Sequence, residues 1–224
     1  MTRKFMLKDA NSCYRVSRYF AFVFAYFSGA MKILGGFLKG KNFFMPKGIR
    51  PTQDVIRKAI FDILGQDLDG LEFIDLFAGS GSMAIEAFSR GAKRVVCVEK
   101  DLRCAKVIQE NMALLKIPFE MIDPPALVIQ GDVFWVIKHL GQPTGPAGRQ
   151  GRKFDIAFLD PPFETEMAKK ALKTLTDHDI LRPVCFIMVQ HSKREILPED
   201  SGRFSIVRQK KYGSSILSVY EGKQ

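Results

Sequence analysis

Residues 72–91 read "EFIDLFAGSGSMAIEAFSRG", an apolar run that halts at a glycine turn and resumes with helical spacing. Gly79, Gly81 and Ala84 fit the pattern G-x-G-x-x-A, and Glu99 comes at the end of the next apolar run, "RVVCVE". This strand–turn–helix–strand unit constrains the fold more than any other stretch. Two successive parallel strands need a crossover, and the crossover here is a helix opening directly from glycines. Glycines at that corner let backbone approach a ligand closely, while an acid ending the second strand suits ribose hydroxyls.

The alternation continues along the chain. Helix-like "DLRCAKVIQENMALLK", strand-like "ALVIQ", helix-like "DVFWVIKHL" and strand-like "FDIAFLD" come next, then a helix over residues 164–176. Strands are also expected at "VCFIMVQ", "SIVRQK" and "SILSVY", the last two spaced as an antiparallel hairpin around "KKYGSS". Continuously apolar strands alternating with helices predict a mostly parallel sheet covered on both faces. Upstream, "MKILGGFLKGKNFFMP" reads as a hairpin over residues 31–50. "PTQDVIRKAIFDILG" places Ile56, Ala59, Ile60 and Ile63 on one helical stripe, with Thr52 as the expected N-cap and Gly65 as the stop. The glycine- and proline-rich run 141–153 is expected to be a loop.

Charge is distributed unevenly. Residues 1–60 carry 12 Lys and Arg against 2 Asp and Glu, whereas residues 61–224 carry 22 of each. A neutral body with a basic front end predicts a polyanionic partner, nucleic acid or an anionic surface. Residues 1–30 hold basic positions, then an aromatic-rich apolar stretch from Tyr19 to Phe27, too short to span a bilayer. They read as a targeting signal, an extra amphipathic element, or sequence ahead of a start at Met31. The last is preferred, because the chain from Met31 onward opens like an intracellular enzyme. Cys13, Cys97, Cys104 and Cys185 show no C-x-x-C spacing, and the three histidines are widely separated, so neither a disulfide framework nor a metal centre is expected.

The glycine turn alone leaves a dinucleotide and another adenosine cofactor open. Asp75, four residues before Gly79, separates them: its charge would repel a pyrophosphate but suits the ammonium of an amino-acid-bearing nucleoside such as S-adenosylmethionine. Asp132 in "GDVF" is positioned to accept from an adenine amine, to N-cap the adjoining helix, or both.

Asp-Pro-Pro occurs twice. At Asp160-Pro161-Pro162-Phe163 it ends an apolar strand, where open α/β folds place ligands. Prolines cannot extend a central strand, so they hold the Asp160 carboxylate and the Pro161 carbonyl as preset acceptors. Two acceptors and the Phe163 ring suit a planar base with an exocyclic amine. The copy at Asp123 precedes its strand and lacks the aromatic, so it is expected to be a turn.

Together "MKILGGFLKGKNFFMPKGIRPTQDVIRKAIFDIL", "DLFAGSGSMAIEAFSRGA", "VEKD", "GDVF", "FDIAFLDPPF" and "KKYGSSILSVY" resemble the RsmD-type bacterial methyltransferases, which methylate guanine N2 in 16S ribosomal RNA. The resemblance runs from Met31 to Tyr220. It implies a class I S-adenosylmethionine-dependent fold over residues 51–224, Rossmann-like, with seven strands and the last antiparallel. It implies cofactor contacts at Asp75, Phe77, Gly79, Gly81, Glu99 and Asp132, with Arg50-Pro51-Thr52 near the same pocket. It implies that Asp160, Pro161, Pro162 and Phe163 hold the base, and that the partner is ribosomal RNA, free or in a partly assembled small subunit. The basic hairpin residues Lys32, Lys39, Lys41, Lys47 and Arg50 are then expected on phosphates, in a monomeric cytoplasmic enzyme.

Three features depart from the family pattern: residues 1–30, the length of the 141–153 loop, and Gln190 where a glutamate is expected. A DNA adenine-N6 methyltransferase is the competing reading, since the same motif serves any exocyclic amine. A nicotinamide-dependent oxidoreductase shares only the glycine turn, and a non-catalytic RNA-binding module leaves the cofactor motifs unexplained.

Overall fold

The computed structural model describes residues 27–49, 52–119, 123–140, 153–163 and 166–223. Residues 1–26, Arg50, Pro51 and most of the 141–153 loop therefore lie outside the described residues. The chain forms a small hairpin, β1 (Phe27–Lys32) with β2 (Asn42–Pro46), and then α1 (Asp54–Leu64). The alternating body runs β3 (Glu72–Asp75), α2 (Ser82–Ser89), β4 (Arg94–Glu99), α3 (Leu102–Leu114), β5 (Ala126–Gln130), α4 (Val133–His139), β6 (Phe154–Leu159), α5 (Met167–Thr176) and β7 (Leu181–Ser192). It closes with β8 (Asp200–Ser201), β9 (Phe204–Tyr212) and β10 (Ser215–Gly222).

The sheet order is β5-β4-β3-β6-β7-β10-β9-β8. From β5 to β7 every pairing is parallel, and β10 slots antiparallel between β7 and β9. The expected parallel sheet and closing hairpin are both present. The seven-strand expectation gains an eighth member, the two-residue β8 on the outer edge. Two apolar layers explain why the strands read as continuous runs. Phe73, Val95, Phe158 and Met188 face one core with α1, α2 and α3, while Ile74, Val96, Leu159 and Val189 face the other with α4 and α5. Removing side chains of this size from water at ~25 cal/mol per Å2 drives the assembly.

Three local expectations change. The hairpin begins at Phe27, four residues ahead of Met31, because β1 continues to pair with β2 as far as Pro46. The helix expected from residue 164 starts at Met167, behind Glu166 in a left-handed turn (φ 68°). Thr52 does not cap α1; the capping position falls on Gln53, which makes no side-chain cap bond. Gly65 does stop the helix, at φ 92°.

The hairpin is fastened to the body. Its "GGF" corner sits on the carboxyl end of α2, where Ser89 Oγ donates to the Gly35 carbonyl (2.6 Å) and accepts from Leu38 N–H (2.9 Å). Gly36 adopts φ +74°, and a Cβ there would fall 1.7 Å from the Ser89 carbonyl oxygen, so only glycine fits. Beneath the corner, fully buried Glu86 accepts from Leu34 N–H (2.9 Å) and from Arg90 (2.8 Å), with Arg57 3.8 Å away. Arg57 in turn donates to the Lys32 carbonyl (3.0 Å) and to Asp54 (2.8 Å). On the other strand, Asn111 of α3 both donates to and accepts from the Phe44 backbone (2.8 and 2.7 Å), as a neighbouring strand would.

Candidate active site

Chain order sets the site. From β3 the chain moves outward through β4 and β5, then returns to lay β6 on the other side of β3. The carboxyl ends of β3 and β6 therefore diverge, and ligands bind at such a switch point in open α/β sheets. A cavity of about 490 Å3 opens there, within the usual range for small-molecule sites. Its wall draws on the end of every parallel strand: Phe77 and Gly79 after β3, Glu99 from β4, Asp132 after β5, Asp160 to Phe163 after β6, and Gln190 from β7. Gly48, Ile49 and Thr52, on the segment leading from the hairpin into α1, complete it.

The glycine turn is held from across the sheet. Glu99 accepts from Gly79 N–H (2.7 Å) with one oxygen and from Asp101 N–H (2.8 Å) with the other. Each oxygen keeps a further lone pair for a ligand hydroxyl. Gly81 instead turns away from the cavity wall: at φ +75° it starts α2, and a Cβ would lie 3.0 Å from Ile108 of α3. It serves the close approach of two helices.

Asp132 does cap α4, with Oδ1 accepting from Phe134 N–H (3.0 Å) and Trp135 N–H (3.3 Å). Its Oδ2 stands 3.6 Å from Lys100 Nζ at the cavity edge. Phe134, also on the wall, carries Lys170 Nζ 4.4 Å from its ring centre.

Asp75 lies beneath this floor, only 1% exposed, and is not among the wall residues. Burial pushes its carboxyl well above the usual aspartate range, and the nearby charges of Asp160 and Glu99 push it further, against a backbone hydrogen bond from Phe77. Its Oδ1 is buried with no hydrogen-bond partner. A cation held over the glycine turn would act on this carboxyl through space, drawing off its proton, since the buried side chain is not on the cavity wall.

On the β6 side, Thr52 Oγ1 donates to Asp160 Oδ2 at 3.1 Å. Thr52 stands one residue ahead of the capping position of α1, and its hydroxyl is turned to the β6 end instead. Pro161 is buried, whereas Phe163 is 41% exposed and lines the cavity. Lys32, Lys39, Lys41 and Lys47 are all exposed on the hairpin and outside the cavity wall; Arg50 lies outside the described residues. The second Asp-Pro-Pro sits at the amino end of β5, the opposite edge of the sheet. Asp123 there takes φ +60° and accepts from Arg94 (2.6 Å), a turn as expected.

Sequence reasoning missed Ile49, Lys100, Phe134 and Met167 on the wall. Phe134 and Lys100 were findable, each lying in a motif already read, "GDVF" and "VEKD". Ile49 and Met167 carry no local signal.

A parallel sheet in this order, an antiparallel strand inserted beside its last parallel member and a cavity at the switch point define a class I S-adenosylmethionine-dependent methyltransferase. More narrowly, the chain belongs to the family described as Conserved hypothetical protein 95, whose model matches residues 31–221. Ribosomal RNA small subunit methyltransferase D of Haemophilus influenzae is 29% identical over 197 residues, covering 86% of this chain and 94% of its own. The Escherichia coli (strain K12) protein of the same name is 28% identical over 196 residues, covering 87% and 91%. Among solved structures, Escherichia coli yhhF superposes with a TM-score of 0.73 at 27% identity, over 87% of this chain and 99% of that one. The Thermus thermophilus 16S rRNA N2 G1207 methyltransferase RsmC, solved with AdoMet and guanosine, shares the fold at a TM-score of 0.65 and 20% identity, over 89% of this chain and 51% of that one.

Proposed function

We propose that the protein transfers a methyl group from S-adenosylmethionine to the exocyclic N2 amine of a guanosine in small-subunit ribosomal RNA. The observation that carries this reading is the shared cavity: Asp160, held by Thr52, opens onto the same space as Gly79 and Glu99. The names of the family relatives, small-subunit ribosomal RNA methyltransferases, support the RNA class.

In this reading Glu99 takes ribose hydroxyls, Asp132 and Phe134 flank the adenine, and Asp75, buried behind the wall, favours the ammonium through space. Bound there, S-adenosylmethionine supplies an electrophilic methyl group on a positively charged sulfur. A guanine amine is a weak nucleophile, because its lone pair is delocalised into the ring. Asp160 and the Pro161 carbonyl act by accepting its two N–H hydrogens, which favours a pyramidal nitrogen with its lone pair available. Phe163, exposed at the mouth, stacks on the base once its nucleotide has swung out of the RNA stack, at ~1–3 kcal/mol. Holding amine and donor in line contributes on the order of 7–11 kcal/mol of the barrier.

The test is transfer from methyl-labelled cofactor into small-subunit ribosomal RNA, read by mass spectrometry of the digested nucleosides. N2-methylguanosine at one position is expected. Asp160→Ala is expected to lower kcat by ~10²–10³ while cofactor affinity survives. Label in DNA adenine, or full turnover in that variant, overturns the reading.

A further inference from the structure

One wall residue has no part in that reaction. Gln190 is 6% exposed and lines the cavity with Asp160 and Phe163, and its Oε1 is buried with no hydrogen-bond partner. Buried polar atoms in native proteins are nearly always paired, and this orphan belongs to a side chain on the cavity wall, so turning its amide into the cavity gives it a partner in the ligand.

Register places the residue. Leu159 of β6 pairs with Val189 of β7, so Asp160 and Gln190 leave adjacent parallel strands at one level, about 4.8 Å apart. Side chains alternate along a strand. Leu159 and Val189 belong to the α4–α5 core, and Phe158 and Met188 to the α1 core. The next residue on each strand therefore emerges on the α1 side, where Thr52 meets Asp160.

We infer that Gln190 determines base specificity, its amide reading the edge of the target purine next to the amine held by Asp160. The inference rests on the guanine-N2 reading. Beside N2, guanine presents N1–H, a donor, and then O6, an acceptor. A glutamine amide offers an acceptor and a donor side by side, so Oε1 takes N1–H while Nε2 donates to O6. Adenine held by its N6 amine shows only the N1 acceptor along that edge, which leaves Oε1 unpaired as it is now. A buried group left unpaired by the wrong substrate is the strongest form of discrimination a pocket has.

The experiment uses small-subunit ribosomal RNA ligated to carry 2-aminopurine in place of the mapped guanosine. That base keeps the N2 amine but lacks both N1–H and O6. Wild type is expected to favour guanosine over 2-aminopurine by on the order of 10²-fold in kcat/KM. In Gln190→Leu the ratio is expected to fall below ~10, with the cofactor Kd unchanged; Gln190→Met serves if the leucine variant does not fold. A purely structural role slows both substrates equally, so an unchanged ratio overturns the inference. If wild type methylates no guanosine, the proposed function falls with it; if it does and the ratio holds, only the role of Gln190 falls.

Discussion

At the scale of single residues, the bond between Thr52 and Asp160 links two segments 108 positions apart and orients the carboxylate before any base arrives. Hydrogen bonds to a charged group contribute ~1.5–3 kcal/mol. Thr52→Val is therefore expected to lower kcat at least ~10-fold with cofactor affinity retained, and Thr52→Ser to restore it, in single-turnover assays. Asp75 gives a second prediction, through pH. Its folded carboxyl holds a proton above the pH, near 3.9, at which the unfolded chain's aspartate releases one. Unfolding in that window therefore releases a proton, and the group's contribution to stability falls as pH rises from about 4. Without cofactor, Asp75→Asn is expected to melt above wild type at pH 7, with the gap closing toward pH 4. A gap independent of pH would refute the assignment. The Asp160 motif was legible because its chemistry is contiguous, four residues in a row at a strand end. The Thr52 hydroxyl was not, since a threonine behind a proline before a helix looks like a cap wherever its partner actually stands.

The elements tell a similar story about burial. Strands and helices of the body were readable from periodicity, because both faces of the sheet are covered and the strands are correspondingly apolar. The docking of the hairpin was hidden. Glu86, Arg57 and Arg90 each look like solvated positions on helices, yet Arg57 and Glu86 are fully buried and Arg90 nearly so. Only the folded arrangement, with Arg90 also donating to Gln66 and lying 4.6 Å over the Phe61 ring, makes that tolerable. Removing one member leaves an uncompensated charge, which costs ~3–5 kcal/mol. Glu86→Ala is thus expected to lower the melting temperature by ~10 °C in calorimetry, at ~2–4 °C per kcal/mol for a chain of this size. Gly36→Ala is expected to act at the hairpin alone, raising protease sensitivity near residues 33–41 while the body stays folded.

Across the whole molecule, the charge imbalance seen in the sequence becomes spatial. The exposed lysines of the hairpin stand close in the chain to Gly48, Ile49 and Thr52, which line one side of the cavity. If Lys32, Lys39, Lys41, Lys47 and Arg50 each release a counterion from single-stranded RNA, affinity is expected to fall ~10²-fold between 50 and 200 mM salt. Titrations of Lys32→Glu and Lys41→Glu are expected to show a shallower dependence; a flat wild-type response would argue against this surface. No helix among the described residues is long and apolar enough to cross a membrane.

The ionic clamp beneath the "GGF" corner ties the hairpin to α1 and α2 through buried charges. An arm so locked to its enzyme is a poor candidate for swinging over a captured nucleotide, so the rearrangement needed for reaction falls to the RNA. On the proposed reaction, RNAs whose target base is already unstacked are therefore expected to react fastest, and single-turnover rates on unpaired and paired versions of one RNA segment measure how much of the barrier the substrate's own folding sets.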